Sequence, residues 1–547
     1  MSKKIFKRLL IAALSVGVLS TTMSINADIA QARSILSEKI FITVSNLKNG
    51  VYDLNFDASI GKEYSKNCNG QVVNYLAYEN IVYVGKPKIA EYQSMNIYIP
   101  KGYLEGKTIN GYTAKTAPIF MPNGVGGYMP GKALTPVEND RMAGGGANAV
   151  LYALSRGYVV ACPAIRGRTN VVNNVYVGKA PAFIVDYKAA VRYLKFNRDN
   201  LPAGDPEKII SNGTSAGGAL SALLGVTGNA KEYASYLSEI GAASDAAGDD
   251  IFAASCYCPI TNLDHADMAY EWIFNGVNKY YPAMWQLQDL EARGLYKPSK
   301  KLNLKLDSDS ANNPIASTEA VDMTAKEIEV SELLKAAFPY YVNSLDLHDQ
   351  SGKVLDLDDK GNGTFKDYIK SKYIESAQSA LDNGVDLSNV DWVTVKNNRV
   401  VDVDLEKYAN TVTRMKAAPA FDKLDLSSAE NDEFATTTNE PRHFSEISKN
   451  NEVKNGAMAD KNLIRLMNPI NFIGGNVQTA THFRIRHGAA DRDTSLAIPA
   501  ILALKLQYSG IDVDFFSPWA RGHAGDYDLE ELFDWADKIC KADPRSK

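Results

Sequence analysis

The chain has 547 residues, a formal net charge of -5, and 45% hydrophobic against 22% charged residues. That balance describes a folded globular chain rather than a disordered one. With no basic excess, it carries no electrostatic footprint for nucleic acid. Its five cysteines, an odd number scattered through the sequence, do not form a disulfide framework, and their pairing state stays open. The 29 tyrosines hint at surfaces for sugars or aromatic rings, although core packing accounts for tyrosine more often.

The first segment, MSKKIFKRLLIAALSVGVLSTTMSINADIAQARS, has a Lys/Arg-rich start, an apolar centre from Leu9 to about Leu19, and Ala30 and Ala32 in an A-x-A arrangement. Residues 1–32 are therefore expected to be a bacterial-type secretory signal cut after Ala32, with Ala27 as a second position. The competing reading is an N-terminal membrane anchor. No later segment approaches 18 uncharged apolar residues, so no stable anchor is expected after cleavage, and the mature chain is expected outside the cell or in the envelope.

SEKIFITVSN and NIVYVGKPKIAEYQSMNIYIP alternate apolar and polar residues and read as antiparallel strands that open a sheet. The texture then changes. TAPIFMPNGVGG, GYVVACPAIRG, EKIISNGTSAGG, IFAASCYCPI, THFRIRHGAAD and IDVDFFSPWARGHAGD are short apolar runs that end in loops rich in Gly, Pro, Asn or Asp. Helical patterns lie between several of them: ANAVLYALSRG, PAFIVDYKAAVRYLKFN, LAIPAILALKLQYSG and LEELFDWADKICKA. This alternation predicts a mostly parallel central sheet covered by helices on both faces, with chemistry at the carboxyl ends of the strands.

Within IISNGTSAGGALSALLG, Ile209 and Ile210 are expected to close a strand and Ala219 to Leu224 to continue as helix. Ser215 then stands on a sharp strand-to-helix turn, the position of a serine nucleophile. The competing reading is one ordinary serine in a glycine-rich turn. An oxyanion hole needs the N–H of the next residue, Ala216, and a second from a loop after an earlier strand. MPNGVGGYMPG follows APIF and offers Gly126 and Gly127, whereas the glycine cluster AGGGAN at 143–148 precedes a helix.

From about His265 to Met467 the rhythm breaks into charged helices such as TAKEIEVSELLKAAF and FKDYIKSKYIESAQSALD. We expect an inserted lid over 265–467, with core segments at 33–264 and 468–547 that together form one α/β domain. DLDDKGNGTF resembles part of a calcium loop, but Lys360 occupies its third position and Ile369 its twelfth. A solvated turn fits better, and no metal or cofactor is expected.

A serine nucleophile needs a base and an orienting carboxylate. Of six histidines, His523 lies in PWARGHAGDYD after the last strand, where an α/β-hydrolase carries its base. HGAADRDTS follows the preceding strand and offers Asp491 and Asp493. Asp491 comes first after the strand and is the expected partner of His523. Asp493 is left to cap the helix near Leu496 or to face substrate. His482 and His487 are expected to pack on or just after that strand.

MPNGVGGYMPG, GKAPAFIVDYKAAVRYLKFN, IISNGTSAGGALSALLG, RMKAAPAFDKLDLSSAEN, RHGAADRDTSLAIPA and RGHAGDYDLEELF resemble the corresponding motifs of bacterial tannases of subtype B, serine esterases of α/β-hydrolase fold. The resemblance implies a Ser215, Asp491 and His523 triad. It also implies Lys416, Glu430 and Asp493 as hydrogen-bond partners of galloyl hydroxyls, with Glu433 as the rival of Glu430. The implied activity is hydrolysis of gallate esters and hydrolysable tannins, with a small aromatic ester as the partner. The alternatives are a feruloyl or general carboxylesterase, or a silent binding protein on the same scaffold.

Overall fold

The alternating runs resolve into a nine-stranded sheet in the computed structural model, which describes residues 47–48, 50–140, 145–282 and 320–543. The expected signal over 1–32, the strand read at SEKIFITVSN, residues 143–144 of the glycine cluster and 283–319 of the insertion lie outside the described residues. The strands are β1 (Lys62–Cys68), β2 (Gln71–Val82), β3 (Ser94–Pro100), β4 (Pro118–Pro122), β5 (Val159–Pro163), β6 (Asp205–Thr214), β7 (Ala253–Tyr257), β8 (His482–Arg486) and β9 (Asp512–Phe516). Their order across the sheet is β9-β8-β7-β6-β4-β5-β3-β2-β1. The first three strands pair antiparallel, and β4 to β9 run parallel to one another.

Side-chain alternation on the parallel strands feeds two helical layers. Helices α1 (Ala149–Ser155), α2 (Ala182–Phe196) and α3 (Ala216–Val226) follow β4, β5 and β6. Phe120 points to one face and meets Phe533 of the last helix at 5.0 Å between ring centroids, beside Tyr152 of α1. Phe483 and Ala254 point to the other face, under Gly225 of α3. Helix α4 (Leu263–Phe274) follows β7, and after it come α5 (Ala325–Ser344), α6 (Thr364–Asp382) and the short α7 (Ala429–Glu433). Helices α8 (Ala497–Tyr508) and α9 (Leu529–Ala542) close the chain.

Aromatic side chains hold the segment after α4 to its neighbours. Trp272 of α4 lies 5.1 Å from Phe338 of α5 and 5.8 Å from Phe365 of α6, and Trp392 stacks on Trp519 at 5.2 Å. In the segment that resembles a calcium loop, Asp358 Oδ1 accepts the N–H groups of Lys360 and Asn362 in a closed turn. Among the described residues, ten of the twelve largest fully buried side chains are tyrosines, so much of the tyrosine excess serves the core. The five cysteines are buried and form no disulfide. No described helix is long and apolar enough to cross a membrane.

One expectation is corrected here. Strand β6 does not close at Ile210 but continues through Ser211 and Asn212 to Thr214, because those polar residues pair with β7 and β4. Helix α3 accordingly starts at Ala216, directly after the serine.

Candidate active site

Chain order reverses direction across the sheet between β4 and β6, so the loops after these two strands open a crevice at their carboxyl ends. Ser215 occupies the turn after β6 at φ 62° and ψ -123°, a conformation that L side chains rarely adopt and that only over-determined surroundings maintain. Those surroundings are specific. The Ser215 N–H donates to Tyr257 O at 3.0 Å, and the Asn123 side-chain amide lies 3.1 Å from both Asn212 O and Gly217 O. A Cβ on Gly213 would overlap Gly217 O, so the elbow closes only over glycine. Gly213→Ala is expected to destabilise the fold by about 1–3 kcal/mol or more through this overlap. Thermal denaturation matching the parent would refute the tight elbow.

The expected base and acid meet. His523 Nδ1 donates to Asp491 Oδ2 at 2.8 Å, and Asp491 Oδ1 accepts the N–H of Asp493 at 2.8 Å and that of Thr494 at 3.3 Å. Burial pushes the Asp491 carboxyl up, but the His523 and His487 charges outweigh it and hold it at about 2. For His523, burial pulls the imidazolium down, while Asp491, Cys258 and Asp493 prevail and raise its pKa well above the usual 6.5. Its Nε2 is buried with no hydrogen-bond partner among the described residues and lies 3.9 Å from Asp493 Oδ1. His487 is buried with Nδ1 3.7 Å from Asp491 Oδ2, while His482 pairs with Asp512 at 2.8 Å at the far end of β8.

Reasoning from sequence missed Cys258. It follows β7 in a turn with φ 36°, and its Sγ approaches Ala524 O at 3.5 Å. Its thiol, one His523 nitrogen and one Asp491 oxygen lie within 4.8 Å of one another. The carboxyl end of a parallel strand was the available signal, the same one that located His523. His523 Nδ1 and Asp491 Oδ2 bond each other, with the thiol a neighbour of the pair.

Ala216 opens α3, where a helix has N–H groups without internal acceptors. The loop after β4 lies beside it, tied by Asn123 N–H to Asn212 O at 2.9 Å. Gly126 and Gly127 border open space, since a Cβ on either meets nothing within 4 Å. Gly127 and Tyr128 have φ 53° and 57°.

Lys416, Asp493 and Glu430 converge although they come from distant segments. Lys416 Nζ donates to Asp493 Oδ1 at 2.9 Å and sits 4.0 Å from the Phe421 ring centroid. Burial lowers the Lys416 pKa, but Asp493 and Glu430 outweigh it and keep the ammonium charged. Burial raises the pKa of Glu430, opposed by Lys416. Asp493 does not cap α8; Ser495 Oγ accepts the Ala497 N–H there instead. Glu430 keeps 8% exposure, whereas Glu433 is at 0% with neither carboxyl oxygen partnered among the described residues. Glu430 is the glutamate coupled to Lys416 and Asp493, whereas Glu433 faces Lys179 and Arg168.

Helix α4 sets this cluster. Glu271 pairs with buried Arg414, whose Nε donates to Lys416 O at 2.7 Å. Asp267 accepts the N–H groups of Phe421 and Asp422. Asp422 then receives the Asn431 amide at 2.7 Å, which fixes α7 and with it Glu430.

This sheet order, the strained serine elbow and the Asp–His pair on the loops after β8 and β9 define an α/β-hydrolase. The family model BD-FAE matches residues 130–279, and no curated protein matches the chain. Among solved structures, Fusobacterium nucleatum tannase is 48% identical with a TM-score of 0.81, covering 90% of this chain and 100% of that one. A tannin acyl hydrolase from Lactobacillus plantarum is 43% identical with a TM-score of 0.78, covering 89% and 99%. A tannin acyl hydrolase in complex with ethyl gallate has the same identity, TM-score and coverage. The chain belongs to the bacterial tannase family and is a carboxylic ester hydrolase.

Proposed function

We propose that this protein hydrolyses galloyl esters through an acyl-enzyme on Ser215. His523 Nε2 takes the Ser215 proton, and the serine oxygen attacks the galloyl carbonyl. The N–H of Ala216 and one from Gly126 or Gly127 hold the tetrahedral oxyanion. His523 then protonates the leaving alcohol, and water attacks the acyl-enzyme to release gallate. Asp491 keeps the imidazole oriented and stabilises its charged form.

The observation that carries the acyl preference is Asp493. One of its oxygens receives Lys416 at 2.9 Å and lies 3.9 Å from His523 Nε2, which joins the acid–base pair to a cluster of charged acceptors and a charged donor. A flat ring rimmed with hydroxyls satisfies such groups, and a ring without them leaves buried polar atoms unpaired. The complex of a relative with ethyl gallate supports the same substrate class. Purified protein should favour methyl gallate over methyl ferulate and methyl acetate; equal or inverted preference would replace this reading with a feruloyl or general esterase.

The pH profile follows from His523. Only neutral imidazole accepts the serine proton, and its pKa is raised above 6.5. The acid limb of kcat/KM for methyl gallate is therefore expected above pH 6.5. Asp491→Asn removes the charge that raises it, so the residual activity should have its acid limb at lower pH. A limb that stays in place would assign it to another group.

We also propose export, with the mature chain beginning at Arg33 and the two core segments closed by the insertion over 265–467. Mass spectrometry of the N-terminus after expression in a secreting host tests it; an intact Met1–Ala32 segment on the mature protein would refute cleavage.

A further inference from the structure

The loop after β5 carries a residue that touches both halves of the site. Arg168 donates its N–H to Tyr128 O at 2.8 Å and its Nε to Gly127 O at 3.0 Å. Its Nη1 donates to Asp432 Oδ2 at 2.6 Å, on the helix α7 that carries Glu430. The contact is close-packed as well as polar, because a Cβ on the preceding Gly167 would overlap the backbone of Met129 and Pro130. Asp432 Oδ1 is held separately by Lys179 at 2.6 Å, and Lys179 also donates to Asn439 Oδ1 at 2.8 Å.

The loop it grips borders open space at Gly126 and Gly127 and turns through two successive residues of positive φ. Preorganised oxyanion donors matter because they must be in place before charge develops, and an error of about 1 Å can cost on the order of 100-fold in rate. On one side the guanidinium holds this loop by a carbonyl beside the expected donors; on the other it holds the recognition helix by Asp432, two residues from Glu430. A planar fork bridges two acceptors that a single ammonium cannot hold in the same geometry.

We propose that Arg168 is a positioning residue that couples ring recognition by Glu430 to the geometry of the oxyanion loop, so that galloyl hydroxyls raise kcat as well as binding. This rests on the galloyl-ester reading above. Bound hydroxyls load Glu430 on the anchored α7, Asp432 links α7 to Arg168, and Arg168 holds the carbonyl of Gly127.

The test compares the full chain with Arg168→Met, Arg168→Lys and Asp432→Asn, using kcat and KM for methyl gallate and methyl benzoate. In Arg168→Met, kcat on methyl gallate is expected to fall about tenfold or more, with a much smaller fall on methyl benzoate. The kcat ratio of the two esters should therefore collapse. Arg168→Lys should resemble Arg168→Met, because charge without the fork does not bridge. Asp432→Asn cuts the link from the helix side and should reduce the same ratio, which decides the matter if the Arg168 variants fail to fold. An equal fall on both esters, a change confined to KM, or full rescue by lysine would overturn the coupling. A parent enzyme inactive on methyl gallate would instead overturn the galloyl-ester reading.

Discussion

Ser215→Ala is expected to lower kcat on methyl gallate by roughly 10⁴–10⁶-fold while the protein still folds, the scale on which serine hydrolases depend on their nucleophile. The change removes one oxygen and leaves the backbone support of the elbow: the N–H bond to Tyr257 O, the Asn123 contacts and the glycine at 213. His523→Ala should fall by a comparable factor. The double variant should be no slower than either single one, because a proton acceptor has nothing to act on without the serine. Steady-state kinetics with circular dichroism on each variant check this, and a multiplicative loss in the double variant would mean that the two residues act in separate steps.

The second large effect separates two aspartates two residues apart. Asp491→Asn should slow every ester alike, by about 10⁴ in kcat, because the amide no longer holds the His523 tautomer that donates from Nδ1. Asp493→Asn acts on recognition instead. It weakens the acceptor that receives Lys416, and it should cost gallate esters about 1.5–3 kcal/mol, the range for hydrogen bonds to charged groups. Methyl benzoate has no ring hydroxyl to lose and should change little. The ratio of kcat/KM for the two esters therefore stays constant in one variant and falls in the other. A uniform loss from Asp493→Asn and a gallate-selective loss from Asp491→Asn would reverse the two assignments.

In the sequence, position alone distinguishes Asp491 from Asp493, as the first acid after a strand. The structure gives that position a physical meaning. Asp491 is buried at 1%, with one oxygen on His523 and the other on the backbone of its own turn, so it is fixed before substrate arrives. Asp493, two residues on, points across the crevice to a lysine 77 positions earlier in the chain.

What the sequence determined by itself was the layout of the core. Short apolar runs that end in Gly, Pro, Asn or Asp mark parallel strands and their loops, and helical periodicity marks α1, α2, α8 and α9, because both signals are local consequences of strand and helix geometry. The rule that chemistry gathers where parallel strands end points to the loops that carry the candidates Ser215, Asp491, Asp493 and His523. Tertiary structure alone decided the rest. Ser211 and Asn212 extend β6 because neighbouring strands satisfy their backbone, which no local pattern of two polar residues announces. Glu430 and Glu433 stand three apart on one helical turn, yet the Asn431–Asp422 bond anchors α7 so that Glu430 couples to Lys416 and Glu433 to Lys179. Cys258 and Arg168 reach the site through contacts with segments far away in the chain. Local periodicity carries no record of such contacts, because they form only when the strands have paired and α5 has packed against α4.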